Sequence, residues 1–321
     1  MSRNRERDLN FQNKQSLKED DINKKIYTFT PIKKPVLTKY VIREIIKLTS
    51  KSNTMASKFK ISLDLGLSTS DIEVVDDTVI FSCGECVDLS VLKSSIDDMG
   101  DDDIFVVIHG NIRKVALSAN GNYYKLKAVG PYTAPTLEIN GIHMHRITGI
   151  TPWEDSLLKV KCARVRRGMK VLDICTGLGY TAIASLLRGA FRVITIEIDE
   201  HVLEIASYNP WSWRLADERI NIILGDATEV IEDIKDSSID RIIHDPPTLA
   251  LAGELYSKEF YKELFRVLKR GGVLFHYTGK PGYMRGVNVT RGVVNRLRHV
   301  GFQVKIVREA YGVVAFKPRS G

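Results

Sequence analysis

Apolar and polar positions alternate in two different ways along the chain. From residue 170 onward, short apolar runs at Val171–Ile174, Arg192–Ile196, Asn221–Leu224, Ile239–Ile243 and Val273–Tyr277 fit buried parallel strands. Between and after them, Tyr180–Leu187, residues 200–208, Tyr256–Leu268 and Thr290–Val300 read as helices. Two last runs, Gln303–Val307 and Gly312–Phe316, have no helix between them and predict a hairpin. This alternation predicts an α/β fold with a doubly wound, seven-stranded sheet that carries one reversed strand. Pro152 and Asp155 mark a further helix just ahead of it.

Upstream the pattern shortens. Phe59–Leu67, Asp71–Val75, Thr78–Ser82, Ile104–His109, Lys114–Ser118, Tyr123–Val129 and Thr136–Ile139 read as strands, Asp88–Ile96 as a short helix, and Asn120-Gly121-Asn122 as a hairpin turn. The expectation is a small α+β or β-rich domain over 55–150 that contacts substrate, followed by a catalytic domain over 151–321. Residues 1–54 are polar to about Lys34, with one amphipathic helix over Leu37–Leu48. They carry 13 Lys/Arg against 6 Asp/Glu, a net of +7 out of +8 for the whole chain. Met55 begins M-A-S-K-F-K-I-S-L, which reads as a protein start, so 1–54 is expected to be either a basic tail or an upstream extension absent from the working protein.

That asymmetry makes the overall charge weak evidence for a polyanionic partner, and local charge is more telling. Residues 264–308 hold ten Lys/Arg and no acid, and residues 156–172 hold six and no acid, so both segments are expected to face a polyanion. No apolar run reaches about 18 residues and the N-terminus lacks a signal-peptide core, so a cytoplasmic location and no membrane contact are expected. Cys83-Gly84-Glu85-Cys86 supplies only two of the four ligands of a zinc site and is expected to hold two structural thiols. His143 and His145 lie two apart on a strand with no carboxylate or cysteine at a usual spacing, so no metal is expected; they are read as structural or as contacts to substrate phosphate or base. The acidic loop Gly100-Asp101-Asp102-Asp103 is expected to be solvated.

The candidate chemistry centres on K-V-L-D-I-C-T-G-L-G, residues 170–179, a strand, glycine turn and helix start. Glycines 177 and 179 let a ligand approach the backbone. Asp173 inside the strand disfavours a pyrophosphate and suits a cationic amino-acid end, as S-adenosylmethionine (SAM) offers. Glu197, about 20 residues on, stands where an acid holds ribose hydroxyls. Asp226, after the next strand, can accept from an adenine amine. His244-Asp245-Pro246-Pro247-Thr248 ends the fourth strand.

With these elements in order, residues 151–321 resemble the class I SAM-dependent methyltransferases, which have a Rossmann-like sheet. Asp245-Pro246-Pro247 resembles the motif of amino-methyltransferases acting on exocyclic base nitrogens or glutamine. The resemblance implies SAM held by Asp173, Thr176, Gly177, Gly179, Glu197, Ile198, Asp226 and Ala227, and transfer at Asp245, Pro246 and Pro247. Asp245 and the Pro246 carbonyl would accept the amine's N–H bonds and aim its lone pair at the methyl. Thr248 departs from the motif, since an aromatic there stacks on a flipped base; Tyr277, Phe275, Tyr283 and Trp153 are candidates to replace it.

Leu137–His145, Asp173–Ala182, Asn209-Pro210-Trp211 and Ala252–Tyr256 further resemble an archaeal family that includes the enzyme forming N4,N4-dimethylcytidine in small-subunit ribosomal RNA. The implied partner is RNA, foremost ribosomal RNA or a small-subunit particle. Other amine acceptors stay open: guanine N2, adenine N6 or a protein glutamine. An aminopropyltransferase acting on polyamines with decarboxylated SAM is the alternative enzyme, and an RNA-binding assembly factor with a vestigial cofactor site is the non-enzyme reading.

Overall fold

The structure is a computed structural model that describes residues 26–50, 56–280 and 289–319. Its contacts divide into two units, one of residues 1–28, 156–200 and 217–321, the other of residues 29–155 and 201–216.

The first unit is built on an eight-stranded sheet. Its strands are β1 (Ile26–Tyr27), β2 (Lys170–Ile174), β3 (Arg192–Glu197), β4 (Ile220–Leu224), β5 (Ile239–His244), β6 (Leu268–Tyr277), β7 (Gln303–Val307) and β8 (Gly312–Phe316). The spatial order is β1-β4-β3-β2-β5-β6-β8-β7. Strands β4 to β6 pair in parallel, and β8 enters antiparallel between β6 and β7. The expected hairpin and single reversed strand are therefore present.

Helices α1 (Pro152–Cys162), α2 (Tyr180–Leu187), α3 (Glu200–Ser207), α4 (Ala227–Asp233), α5 (Lys258–Val267) and α6 (Val289–Val300) connect the strands. Apolar faces of α4, α5 and α6 pack on β2, β5, β6 and β8 in one core that includes Leu172, Ile242, Leu264, Leu274, Val293 and Val313. Burial on both faces explains why the parallel strands read as unbroken apolar runs.

Two details differ from expectation. The sheet gains an eighth strand, because Ile26 and Tyr27 pair antiparallel with Ile223 and Ile222 on the β4 edge. Helix α5 begins at Lys258 rather than Tyr256, because the Ser257 hydroxyl accepts the Phe260 N–H at 3.0 Å and caps it. Residues Gly253–Tyr256 form a separate 3₁₀ turn.

The second unit holds three small antiparallel sheets, ordered 142–143/136–139/122–127/116–119, 36–38/104–108/111–114 and 56–61/70–75/78–81/86–88. The α+β character expected for this region is present. The boundary at residue 54 is not. Strand Val36–Thr38 pairs with Ile104–Val106, and helix Lys39–Thr49 places Val41, Ile42 and Ile45 in the same core as Ile61, Ile72, Val79 and Leu92. Thr38 starts that helix by accepting the Val41 N–H through its hydroxyl. Composition marked this segment as a tail because it weighs charge and not the buried helix face. Among the described residues no helix is long and apolar enough to cross a membrane.

Replacing the fully buried Ile42 with Ala should therefore cost about 2–5 kcal/mol. Urea unfolding followed by circular dichroism reads this as a lowered midpoint; an unmoved midpoint would make the helix dispensable to the unit.

Candidate active site

The carboxyl ends of β2, β3, β4 and β5 bring the acidic candidates together within the first unit. Asp173 is completely buried on β2, the sheet's middle strand. Its Oδ2 accepts the Thr195 hydroxyl at 2.8 Å, and its Oδ1 is buried without a hydrogen-bond partner. Burial pushes the Asp173 carboxyl up to about 7, with the Asp245 carboxylate adding to the rise and Thr195 and Lys159 opposing it.

After β2 the chain turns sharply. Cys175 takes a left-handed conformation, φ 71°, and its N–H and that of Thr176 both donate to the Ile196 carbonyl at 3.1 and 3.0 Å. Gly179, φ 75°, opens α2. A Cβ built on Gly177 would meet nothing within 4 Å, so the turn borders open space where a ligand can reach the backbone.

Glu197 ends β3 and fastens this turn. Its Oε2 accepts the Gly177 N–H at 2.9 Å, and its Oε1 accepts those of Ile198 and Asp199 at 3.0 and 3.2 Å. Burial pushes this carboxyl up to about 7 against the pull of those three bonds. A carboxylate has about four acceptor positions, so one is left. Ile198 beside it is 67% exposed, an apolar side chain open to a ring face. Asp226 caps α4, with Oδ1 accepting the Thr228 N–H and hydroxyl at 2.7 Å each. Ala227 is buried behind it.

Asp245 follows β5, and its N–H donates to the Ile174 carbonyl at 3.3 Å, joining the acidic loop to the glycine turn. Its Oδ2 accepts Lys159 Nζ at 2.7 Å. That lysine is 2% exposed and lies 4.4 Å from the centroid of the Tyr277 ring. Sequence reasoning had placed Lys159 on a polyanion-facing surface. It instead points inward along α1, where its charge is balanced by a carboxylate and an aromatic face.

The loop after Asp245 rests on a buried aromatic cluster. The Tyr256 hydroxyl donates to the Pro247 carbonyl at 2.8 Å. His244 lies under it with Nε2 3.0 Å from the Leu255 carbonyl, so Nε2 carries the proton. Burial holds His244 neutral by lowering it to about 4. His276 stacks 4.3 Å away and bonds the Tyr261 hydroxyl at 2.8 Å. Sequence reasoning counted Lys159 only as part of a basic segment and gave Tyr256 no role beyond its place in the Ala252–Tyr256 segment.

Other candidates fare differently. Phe275 is fully buried in the core and is no stacking platform. Thr248 is exposed, with its carbonyl accepting the Leu251 and Ala252 N–H groups, so it begins a turn. Tyr277 is half-buried beside Lys159. Tyr283 lies outside the described residues.

His143, His145 and Trp153 belong to the second unit. There His143 bonds Glu138 at 3.1 Å, His145 bonds the Thr136 hydroxyl at 3.0 Å, and Trp153 packs 5.5 Å from Trp211. The Asp101–Asp103 loop is not simply solvated, since Asp102 binds Lys125 and Lys127 at 2.7 and 2.8 Å, and Asp103 binds Lys125 and Lys114 at 2.7 and 2.9 Å. Burial opposes ionisation of Asp102, yet those two lysines hold it down at about 2. Cys83 and Cys86 are exposed rather than packed, flanking Gly84 at φ 86°. Among the described residues no group of His, Cys, Asp and Glu could hold a metal.

The ionisable residues fit a SAM-type donor. An unpartnered buried carboxylate oxygen on Asp173, space at Gly177, an acceptor position on Glu197 and the exposed Ile198 suit, in turn, a cationic end, the chain beside it, ribose and a purine face.

Comparison with known proteins agrees at the level of fold. A family model for the spermine/spermidine synthase domain matches residues 177–309. The chain is 47% identical over 289 residues to the uncharacterized protein MJ1233 of Methanocaldococcus jannaschii, covering 88% of this chain and 96% of that protein. It is 30% identical over 115 residues to a polyamine aminopropyltransferase of Saccharolobus islandicus, covering 34% of this chain and 37% of the relative. A crystal structure of spermidine synthase with the transition-state analogue AdoDATO superposes with a TM-score of 0.52 at 21% identity, over 64% of this chain and 73% of that one. The first unit thus has the mixed α/β sheet seen in spermidine synthase.

Asp173→Asn should weaken binding of a sulfonium donor about tenfold or more, the loss of one charge-assisted contact. In the unsubstituted protein the raised carboxyl is protonated below its folded value of about 7, so donor affinity should fall as pH drops through that value. Titration calorimetry across the neutral range checks both; the substitution should shrink the pH dependence and leave the share due to Glu197.

Proposed function

The chain belongs to the protein family that includes MJ1233 of Methanocaldococcus jannaschii, and we propose that it is an amine N-alkyltransferase using a SAM-type sulfonium donor. One observation carries this reading: the Asp245 carboxylate stands at the end of β5, hydrogen-bonded through its backbone to β2, whose next residues are the glycine turn. When bound, the donor supplies an electrophilic carbon on its sulfonium. Asp173, Thr176, Gly177, Gly179, Glu197, Ile198, Asp226 and Ala227 hold it. Asp245 accepts an N–H of the acceptor amine and orients the nitrogen lone pair. Pro246 and Pro247 stiffen the loop, and Tyr256 fixes it from below. Lys159 Nζ lies 2.7 Å from Asp245 Oδ2 and holds the carboxylate in place, and that carboxylate takes up the proton that the nitrogen sheds.

Two acceptors follow from different observations. The family model and the aminopropyltransferase relatives favour a polyamine with decarboxylated SAM as donor, and they support that acceptor better than they support RNA. The charges favour a neutral amine. Lys159 already balances Asp245, and the acidic Asp101–Asp103 loop is balanced by Lys125, Lys127, Lys114 and Lys39. A polycation gains little from carboxylates that are already paired. On this second reading the acceptor is an exocyclic base amine in RNA, foremost cytidine N4 of small-subunit ribosomal RNA. Tyr277 is then the aromatic neighbour of the base, in place of Thr248.

The deciding experiment offers labelled SAM and labelled decarboxylated SAM, separately, to ribosomal RNA, transfer RNA, protein and polyamine fractions, and digests whatever becomes labelled. Label from SAM in cytidine supports the base amine, and label from decarboxylated SAM in a longer polyamine supports aminopropyl transfer. Failure to bind either donor in calorimetry would overturn the transferase reading. Asp245→Asn should abolish transfer to either acceptor while donor affinity stays nearly unchanged.

A further inference from the structure

The acid-free basic segments do not survive folding as one charged face. Arg266 is spent on Asp236, Glu263 and the Ile231 and Ile234 carbonyls, and Lys269 on Asp240. The Arg164 guanidinium lies over the Phe316 ring, Lys159 is buried against Asp245, and the Arg296 Nε is turned inward. Five of the sixteen basic residues are thus engaged elsewhere.

Three of the others meet at one place. A cavity of about 570 Å³ is walled by α6, by Thr278 just past β6, and by the β7–β8 hairpin. Arg291, Arg298 and Arg308 line it together with Thr278, Asn295 and Tyr311, and no Asp or Glu is among the described residues that line it. The Arg298 and Arg308 side chains are exposed, and among the described residues neither is paired with a carboxylate. These two guanidiniums share the concavity with Arg291, and planar guanidinium forks match phosphate oxygens two at a time. The volume lies within the range of about 300–1,000 Å³ typical of small-molecule sites.

The cavity also lies near the proposed chemistry. His244 on β5 is in register with His276 on β6, so Asp245 and Tyr277 are the next residues on neighbouring strands. Thr278, on the cavity wall, follows directly. Neighbouring strands run about 4.8 Å apart.

We propose that this cavity is a phosphate-binding subsite in which Arg291, Arg298 and Arg308 hold phosphate groups of the acceptor. It rests on the transferase reading only for the identity of the phosphate carrier, because the arginine-lined cavity exists whatever is transferred. The shared chemistry is a phosphate oxyanion, carried either by a nucleic-acid backbone or by a free phosphorylated molecule.

Binding of inorganic pyrophosphate and of a fluorescein-labelled single-stranded oligoribonucleotide to the full chain tests this, with SAM and decarboxylated SAM affinity measured on the same samples. The Arg298→Ala/Arg308→Ala double variant should lose about tenfold or more of the affinity for whichever probe binds. Lys305→Ala, an exposed cation on β7 outside the cavity lining, should lose little. Asn295→Asp, which sets a carboxylate on the same wall, should reproduce the loss should the double variant fold poorly. Oligoribonucleotide binding with a steep salt dependence that flattens in the double variant identifies a backbone phosphate; pyrophosphate binding alone identifies a free phosphorylated ligand. Binding unchanged in the double variant and in Asn295→Asp, or no binding of either probe, overturns the subsite. Loss of donor binding with phosphate binding kept would instead overturn the transferase reading and leave the subsite standing.

Discussion

Three backbone N–H groups converge on the buried Glu197 carboxylate, and the shape of the site depends on that convergence. One comes from Gly177 in the turn after β2 and two from the turn after β3, so a single side chain ties two loops that the sheet alone would leave independent. Hydrogen bonds to a charged acceptor are worth about 1.5–3 kcal/mol each. They offset the cost of burying the charge, and with the Ile196 carbonyl they hold Cys175 in a left-handed conformation that a non-glycine residue rarely adopts. The glycine turn is therefore shaped before any ligand arrives.

The second constraint is charge. Asp173, Glu197 and Asp245 end adjacent parallel strands, and the Asp245 carboxylate adds to the rise that burial causes at Asp173. Lys159 relieves this by projecting from α1 onto Asp245, with the Tyr277 ring on its other side. The result is two buried carboxyl groups at Asp173 and Glu197 beside a paired Asp245. On the transferase reading proposed above, this difference separates a site for a cationic donor and a neutral amine from one for two cations. It also makes the spermidine synthase-like fold compatible with more than one acceptor.

Much of this was readable in the chain. The unbroken apolar runs, the glycines after Asp173 and the acids at Glu197, Asp226 and Asp245 are local features, and local features set strand identity, turn geometry and the order of motifs. The short runs of the second unit were legible for the same reason. The segment 36–49 was misjudged because it was grouped with the basic residues before it, while Val41, Ile42 and Ile45 decide its place.

The sequence by itself determined the doubly wound sheet and the positions of its acidic strand ends, because strand pairing and turn chemistry depend on neighbours along the chain. Only the tertiary structure decided which charges meet. Lys159 and Asp245 are 86 residues apart, yet their side chains touch at 2.7 Å, and no periodicity encodes that contact. The same holds for Arg266, consumed by α4 and its following loop, and for Arg291, Arg298 and Arg308, brought around one cavity by the packing of α6 against the final hairpin. Charge along a chain counts residues. Charge in a folded site depends on which of them the core has already paired.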